Sequence, residues 1–335
     1  MDFKQSVIDT FSSFRINVSF LRMKESYSYT LYELKILSSL KISKERVANV
    51  ASALSALLNR GIRLIKLDDI FRLEVEREKG SAVSFSEIEE KIKESSLILP
   101  FPIGRNAEGE DVILDLAAWH HFLIGGMDGY GKSNFLKCAM NAMKAKRSSD
   151  ELKFILVDFT GHDFDRDLSS PYLMCPIISS FKDLHDRFES LLELINHRFY
   201  CFEREGVGNI ESYNKNSEGS FDYIVLVISD LAQMKLNDVE KKRFDSLLSG
   251  ITTLGKAVGV HAIAASSSLS SSILTYDVFR SLNSHICFKV EAAIYSRMIF
   301  FSPGAEALSC PGDMLFMKGY GNNEVERLQG YRLDV

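Results

Sequence analysis

The 335-residue sequence has no CxxC pair, no apolar run of the roughly 20 residues that a membrane-spanning helix needs, and no surplus of positive charge. Its five cysteines, Cys138, Cys175, Cys201, Cys287 and Cys310, are scattered and odd in number. That excludes zinc or redox spacing and fits reduced core thiols. The opening MDFKQSVIDTFSSF lacks the basic-then-apolar order of a secretory signal, so a soluble, cytoplasmic protein without a membrane span is expected. Lys and Arg number 40 against 45 Asp and Glu, a formal net charge of −5. Nothing global attracts a polyanion, and any DNA contact has to come from a local basic cluster. What the sequence does have is a 46% hydrophobic content and enough length for one large core plus a smaller unit.

The first stretch reads as a small α+β unit, residues 1–84. Ser43 is placed to cap a helix whose apolar positions Val47, Val50, Leu54 and Leu58 recur at helical spacing. Gly61 is expected to end it after about five turns. Phe71, Leu73 and Val75 then alternate with Arg72, Glu74 and Glu76, the period of a strand with one wet face. A polar stretch puts a boundary near residue 80, and Ser86 with Glu89 has the form of a capping box.

From about residue 100 the pattern changes to short, continuously apolar runs separated by helical segments, which is how buried parallel strands with crossover helices appear. The strand candidates are HFLIG, LKFILVDF, FDYIVLVIS, VHAIAA and HICFKV. Phe181, Leu184, Phe188, Leu191, Ile195, Phe199 and Phe202 mark one long amphipathic helix and read as core. The fold class is therefore α/β over residues 85–335.

Residues 126–133, GMDGYGKS, fit G-x-x-x-x-G-K-[ST] between a strand and a helix. Gly126, Gly129 and Gly131 permit backbone conformations that turn successive N–H groups inward around phosphate oxygens. Lys132 is expected to reach the β- and γ-phosphates and Ser133 to hold Mg²⁺, with the following helix aiming its positive end at the anion. The candidate ATP contacts are Gly126, Asp128, Gly129, Tyr130, Gly131, Lys132, Ser133 and Asn134. The second half of such a site is an acidic residue ending a neighbouring buried strand, and here that strand ends Val227-Ile228-Ser229-Asp230. With one carboxylate where a hydrolase has two, Asp230 is a candidate for metal binding or for catalysis; the alternative is an Asp that caps the turn.

With these residues in hand, the chain resembles the motor region of the FtsK/SpoIIIE family of DNA translocases. IGRNAEGEDVILDLAAWHHFLIGGMDGYGKS follows the family's approach to the P-loop, and REGVGNIESYN, DYIVLVISDLAQM, GKAVGVHAIAAS and PGAEALSCPGDMLF occupy further family blocks. The resemblance implies a RecA-like P-loop domain preceded by the small α-like domain. It also implies a hexameric ring, with ATP at subunit interfaces, that pumps double-stranded DNA.

Departures fall where the chemistry should be. Ser229-Asp230 stands for Asp-Glu, Ala265-Ser266-Ser267-Ser268-Leu269 for ATQRP, Lys256 for an Arg and Ala293 for a Lys. Arg297 keeps the family's Arg and is the candidate for a charge given across an interface; the alternative is a structural ion pair. In the segment expected to face DNA, Arg280 is retained, while Phe279 and His285 replace basic residues, and the Ser run reads as a flexible loop that packs nothing, the alternative being hydroxyls that hydrogen-bond phosphates. His120 and His121 read as core or rim. Asp158, Asp163 and Asp165 follow the second strand, with Asp163 on an acidic position of the family pattern and a solvated loop as the alternative.

Three functions stay open: a DNA-translocating ring ATPase, a nucleotide-binding but hydrolysis-poor scaffold within a homo-oligomer or hetero-complex, and a type VII secretion-like export subunit.

Overall fold

The computed structural model describes residues 2–38, 42–77, 82–119, 121–164, 170–317 and 325–334. Near the N-terminus, helix α1 (Phe3–Ser13) precedes strands β1 (Val18–Glu25) and β2 (Tyr29–Ile36), and helix α2 (Lys44–Leu58) precedes β3 (Ile62–Leu67) and β4 (Ile70–Glu76). The four strands form an antiparallel sheet in the order β1-β2-β4-β3. Val7 and Phe11 of α1 and Val50 and Leu54 of α2 close over Phe71, Leu73 and Val75 to make its core.

Ser43 caps α2 by accepting from the Arg46 amide, as its position predicts. The helix ends earlier than expected, because Asn59 takes the left-handed conformation that stops the ladder two residues before Gly61. The expected wet face of β4 is also only partly wet: Glu74 is 4% exposed. Two guanidinium groups cover this carboxylate, that of Arg63 on the neighbouring β3 and that of Arg327 from the far end of the sequence.

The connection to the larger sheet runs through β5 (Val83–Ser84) and α3 (Ser86–Glu94). The capping arrangement sits two residues ahead of the expected one. Ser84 accepts from the Ser86 amide, and the Ser84 amide donates to Glu87. The boundary expected near residue 80 lies outside the described residues.

The larger sheet is built from β6 (Pro100–Arg105), β7 (Asp111–Asp115), β8 (Phe122–Gly125), β9 (Leu152–Val157), β10 (Tyr223–Ile228), β11 (Val260–Ser266), β12 (Ser284–Cys287), β13 (Asp313–Met317) and β14 (Val325–Gln329), in the order β7-β6-β14-β13-β12-β8-β11-β10-β9. Helices α4 (Lys132–Lys146), α5 (Phe181–Glu205), α6 (Ile210–Asn216), α7 (Asp238–Gly255), α8 (Tyr276–Ser281) and α9 (Ala293–Phe300) connect these strands. The five apolar runs picked out in the sequence are β8 to β12, and they make the parallel part of the sheet. An antiparallel wing of β13, β14, β6 and β7 extends it. Finally, β15 (Tyr331–Arg332) pairs in parallel with β5 and ties the chain's last described segment to residues 83 and 84.

The long helix appears as expected. Ser180 caps α5, Gly206 ends it, and Leu184, Phe188, Leu191, Ile195 and Phe202 are buried. Arg198 interrupts this stripe; it is 2% exposed, bonds Asp222 at 2.6 Å and donates to the carbonyl of Val258. Among the described residues, no helix is long and apolar enough to cross a membrane.

Candidate nucleotide site

The glycine-rich segment leaves β8 and enters α4 at the carboxyl edge of the parallel strands, where ligands gather in open α/β sheets. Gly126, Gly129 and Gly131 have φ values of 138°, 82° and 116°, all in the region that side chains avoid. At Gly126 a Cβ would also lie 2.7 Å from the Cβ of Phe288. The loop is held from both sides, since the Gly126 amide donates to Ser266 O and the Met127 amide to Lys289 O. The next N–H groups, of Asp128, Gly129, Tyr130 and Gly131, donate to nothing among the described residues. Unpaired donors gathered at the amino end of a helix form an anion cradle.

Lys132 is 6% exposed, and its Nζ donates to Gly126 O at 2.8 Å and to Asp128 Oδ1 at 2.9 Å. The ammonium thus stays within the loop, paired with a carboxylate whose side chain is 77% exposed. Tyr130 offers its ring to the Lys289 ammonium, 5.7 Å from the centroid. Lys289 is a cation beside the cradle that sequence reading did not single out, although it directly follows the last parallel strand. Asn134 does not join the cradle with its side chain. Its amide donates to Tyr331 O at 2.7 Å and accepts from the Leu333 amide, so it anchors the β15 segment.

The strand ending in Asp230 is not the immediate neighbour of β8 as expected, because β11 lies between them. Asp230 Oδ1 accepts from the amides of Ala232 and Ser267, both at 2.9 Å. It caps the turn after β10 and staples that turn to the end of β11. Ser229 beside it is 5% exposed, and its amide continues the strand ladder to Val157 O. Ser133 and Asp230 share no hydrogen bond.

The carboxylate that does meet Ser133 is Asp163. The Ser133 hydroxyl donates to Asp163 Oδ1 at 2.5 Å, across 30 residues of chain. The loop carrying Asp163 is organised by Asp158, 1% exposed, which accepts from Thr160 N, Thr160 Oγ1, Gly161 N, Asp163 N and Phe164 N. Burial pushes this carboxyl upward, yet Thr160 Oγ1 and the amides of Asp163, Gly161 and Thr160 together hold it below the usual carboxylate range. Asp158 is thus a buried anchor of a loop whose Thr160, Gly161 and His162 are exposed and whose Asp163 is half-buried; Asp165 lies outside the described residues.

Arg297 stands on α9 with its side chain exposed and, among the described residues, without an ion pair, so the structural pair weighed for it is not found. Lys256 lies four residues before β11 begins, whereas the cradle meets that strand's end. Seven residues of strand separate the two by about 20 Å, which rules out contact with this chain's own cradle.

Two expectations for the DNA-facing segment are corrected. His285 is a buried β12 residue that burial pulls down to about 4, partly offset by backbone groups at Leu282, Phe279 and Ile299. It is neutral and faces the core. The serine run does pack: Leu269 is 2% exposed and lies over Gly125, and Ser266 Oγ donates to Ser268 O. Arg280 is exposed on α8, its guanidinium 5.5 Å from the centre of the Tyr276 ring.

His121 is core, as expected, whereas His120 lies outside the described residues. The His121 Nδ1 accepts from the Ala262 amide, so its Nε2 carries the hydrogen and donates to Thr252 O at 2.8 Å.

Comparison with known proteins bears on the fold and the family. The chain is 28% identical over 338 aligned residues to the DNA translocase FtsK of Borreliella burgdorferi, covering 98% of this chain and 43% of that protein. It is 27% identical to the DNA translocase FtsK of Helicobacter pylori, covering 97% of this chain and 39% of that one. The chain thus spans about two fifths of the length of these curated relatives. Among solved structures, the pCW3 conjugation coupling protein TcpA, in a monomer form with ATPγS, superposes with a TM-score of 0.69 at 17% identity, covering 99% of this chain and 95% of that one. The cytoplasmic domain of the Thermomonospora curvata type VII secretion ATPase EccC superposes with a TM-score of 0.64 at 21% identity, covering 76% and 32%. Both likenesses concern the fold, an α/β arrangement shared with P-loop ATPases. The FtsK/SpoIIIE pattern matches residues 87–271, more than half of the sequence, and the chain belongs to the FtsK/SpoIIIE family.

Proposed function

We propose that this chain is a cytoplasmic, ATP-binding motor subunit of the FtsK type that acts on double-stranded DNA and turns over ATP slowly. The observation that carries this is the cradle: unpaired amides of residues 128–131 beside the buried ammonium of Lys132, at the amino end of α4. Four unpaired donors in succession and a neighbouring cation fit a triphosphate tail. With a triphosphate bound, Lys132 would exchange Asp128 for phosphate oxygens, and the amides would stabilise the negative charge by donating to them. Mg²⁺ fits the same site through the Ser133 hydroxyl, where it would screen charge between the phosphates.

Slow turnover follows from the other end of the site. Ser229 carries no charge, and one oxygen of Asp230 already accepts two amides, leaving only Oδ2 to orient water. Arg297, exposed on α9, is the group we assign to a neighbouring subunit's nucleotide in a ring or a hetero-complex. Lys256 too is restricted to acting on a neighbour. For DNA, the hydroxyls of the serine segment and Arg280 supply few charges, so duplex binding is expected to be weak and steeply salt-dependent. We retain a division into a small α+β unit, residues 1–84, and a RecA-like unit, residues 85–335, with the pairing of Val83 and Ser84 to β15 linking the end of the first to the second.

The engagement of Asp230 also favours a second reading, in which ATP is held at an interface and scarcely hydrolysed. ATPase assays with and without duplex DNA separate the two. Duplex-stimulated turnover that Lys132→Ala abolishes supports the motor; tight ATP binding with no turnover in either condition rejects it in favour of the scaffold. Lys132→Ala is expected to weaken ATP affinity by about 10- to 150-fold, read by titration of a fluorescent analogue.

A further inference from the structure

The loss of the metal-side carboxylate at Ser229 leaves the question of what holds the cation. Resting on the reading of an ATP and Mg²⁺ site given above, we infer that Asp163 supplies the carboxylate that the end of β10 lacks and thereby sets the magnesium site.

A serine hydroxyl has one hydrogen and two lone pairs. With its hydrogen given to Asp163 Oδ1 at 2.5 Å, the Ser133 oxygen keeps its lone pairs for a cation. A small hard cation such as Mg²⁺ keeps several of its waters, and carboxylates outside the direct ligands hold and orient them. Asp230 is poorly suited to that task, since it is tied to Ala232 and Ser267 and shares no bond with Ser133. Asp163 Oδ2, by contrast, accepts no hydrogen bond among the described residues. The loop that presents it is fixed by five donors converging on Asp158, so the carboxylate is positioned before any ligand arrives.

Charge gives the inference a sign. Without a cation, a carboxylate beside the cradle repels a triphosphate; with one, it completes the cation's surroundings. Asp163→Asn therefore acts in opposite directions in the two conditions. A loop that merely supports the fold would lower both affinities together.

The test is titration of the full chain with a fluorescent, non-hydrolysable ATP analogue, once in Mg²⁺ and once in EDTA, for the wild type, Asp163→Asn and Asp163→Ala. In the wild type, Mg²⁺ is expected to strengthen binding. In both variants that strengthening falls by about 10- to 100-fold, while affinity in EDTA stays level or rises. An unchanged magnesium effect overturns the assignment, as does an equal loss in both conditions, which would make Asp163 a support of the loop. Failure of the wild type to bind the analogue in either condition removes the ATP reading itself, an outcome distinct from both.

Discussion

Two clusters of charge in this molecule look alike on paper and differ in what they leave open. At the junction of the two sheets, Arg327 grips Asp313 through Nε at 2.9 Å and Nη2 at 2.7 Å and reaches Glu74 at 3.1 Å, while Arg63 meets the other oxygen of Glu74 at 3.0 Å. Two cations face two anions, and all four side chains are under 10% exposed. Tyr29 lays its ring 4.2 Å from the Arg327 guanidinium and, being buried beside Glu74, has its hydroxyl pushed well above the usual tyrosine range. Nothing there remains to be bound. The cradle is different, with unpaired amides and an ammonium whose carboxylate partner is exposed. A closed network holds two units in register; an open one waits for a ligand.

The comparison breaks first at Arg327. Replacing it with Met strands the buried Asp313 carboxylate, leaves Glu74 with Arg63 alone, and is expected to lower stability by about 3–5 kcal/mol, read by urea denaturation, with the remaining folded fraction binding ATP normally. If affinity falls instead of stability, the division between closed and open clusters is wrong.

His285 sharpens the contrast, since it is a buried titratable group without an ionic partner. Its folded value near 4 lies below the ordinary value of 6.5, so between these limits the unfolded chain binds a proton that the folded chain refuses. Stability should therefore fall as pH drops from 6.5 toward 4, by about 3 kcal/mol in all. His285→Phe, with its ring against Phe279, should flatten that slope in denaturation curves taken across the range.

The smallest effect is expected at Asp128. Its exposed pairing with Lys132 must open when phosphate arrives, so Asp128→Asn should tighten nucleotide binding, by no more than about fivefold, and leave the melting temperature unchanged. Weaker binding would show that Asp128 aids the cradle.

Much of this was legible beforehand. The five parallel strands are mostly apolar because both of their faces are covered, with Lys153, His261, Ser266, Ser284 and His285 as exceptions, and the glycine pattern needs only its own backbone to make a cradle. The antiparallel wing was not marked. Its strands mix charged and apolar residues, and Asp313 and Arg327 are buried only because they meet each other and Glu74. The capping box was offset by two residues since Ser84 and Glu87 have the same spacing as Ser86 and Glu89, and local pattern cannot choose between equals.

By itself, the sequence determined the periodicities, the glycine-rich P-loop pattern and the uncharged side chain at Ser229, all of which are read along the chain. Tertiary structure alone decided which carboxylate meets Ser133, where Asn134 turns, and that His285 is core. Those outcomes depend on strand order and loop closure, which bring together residues that no short-range pattern relates.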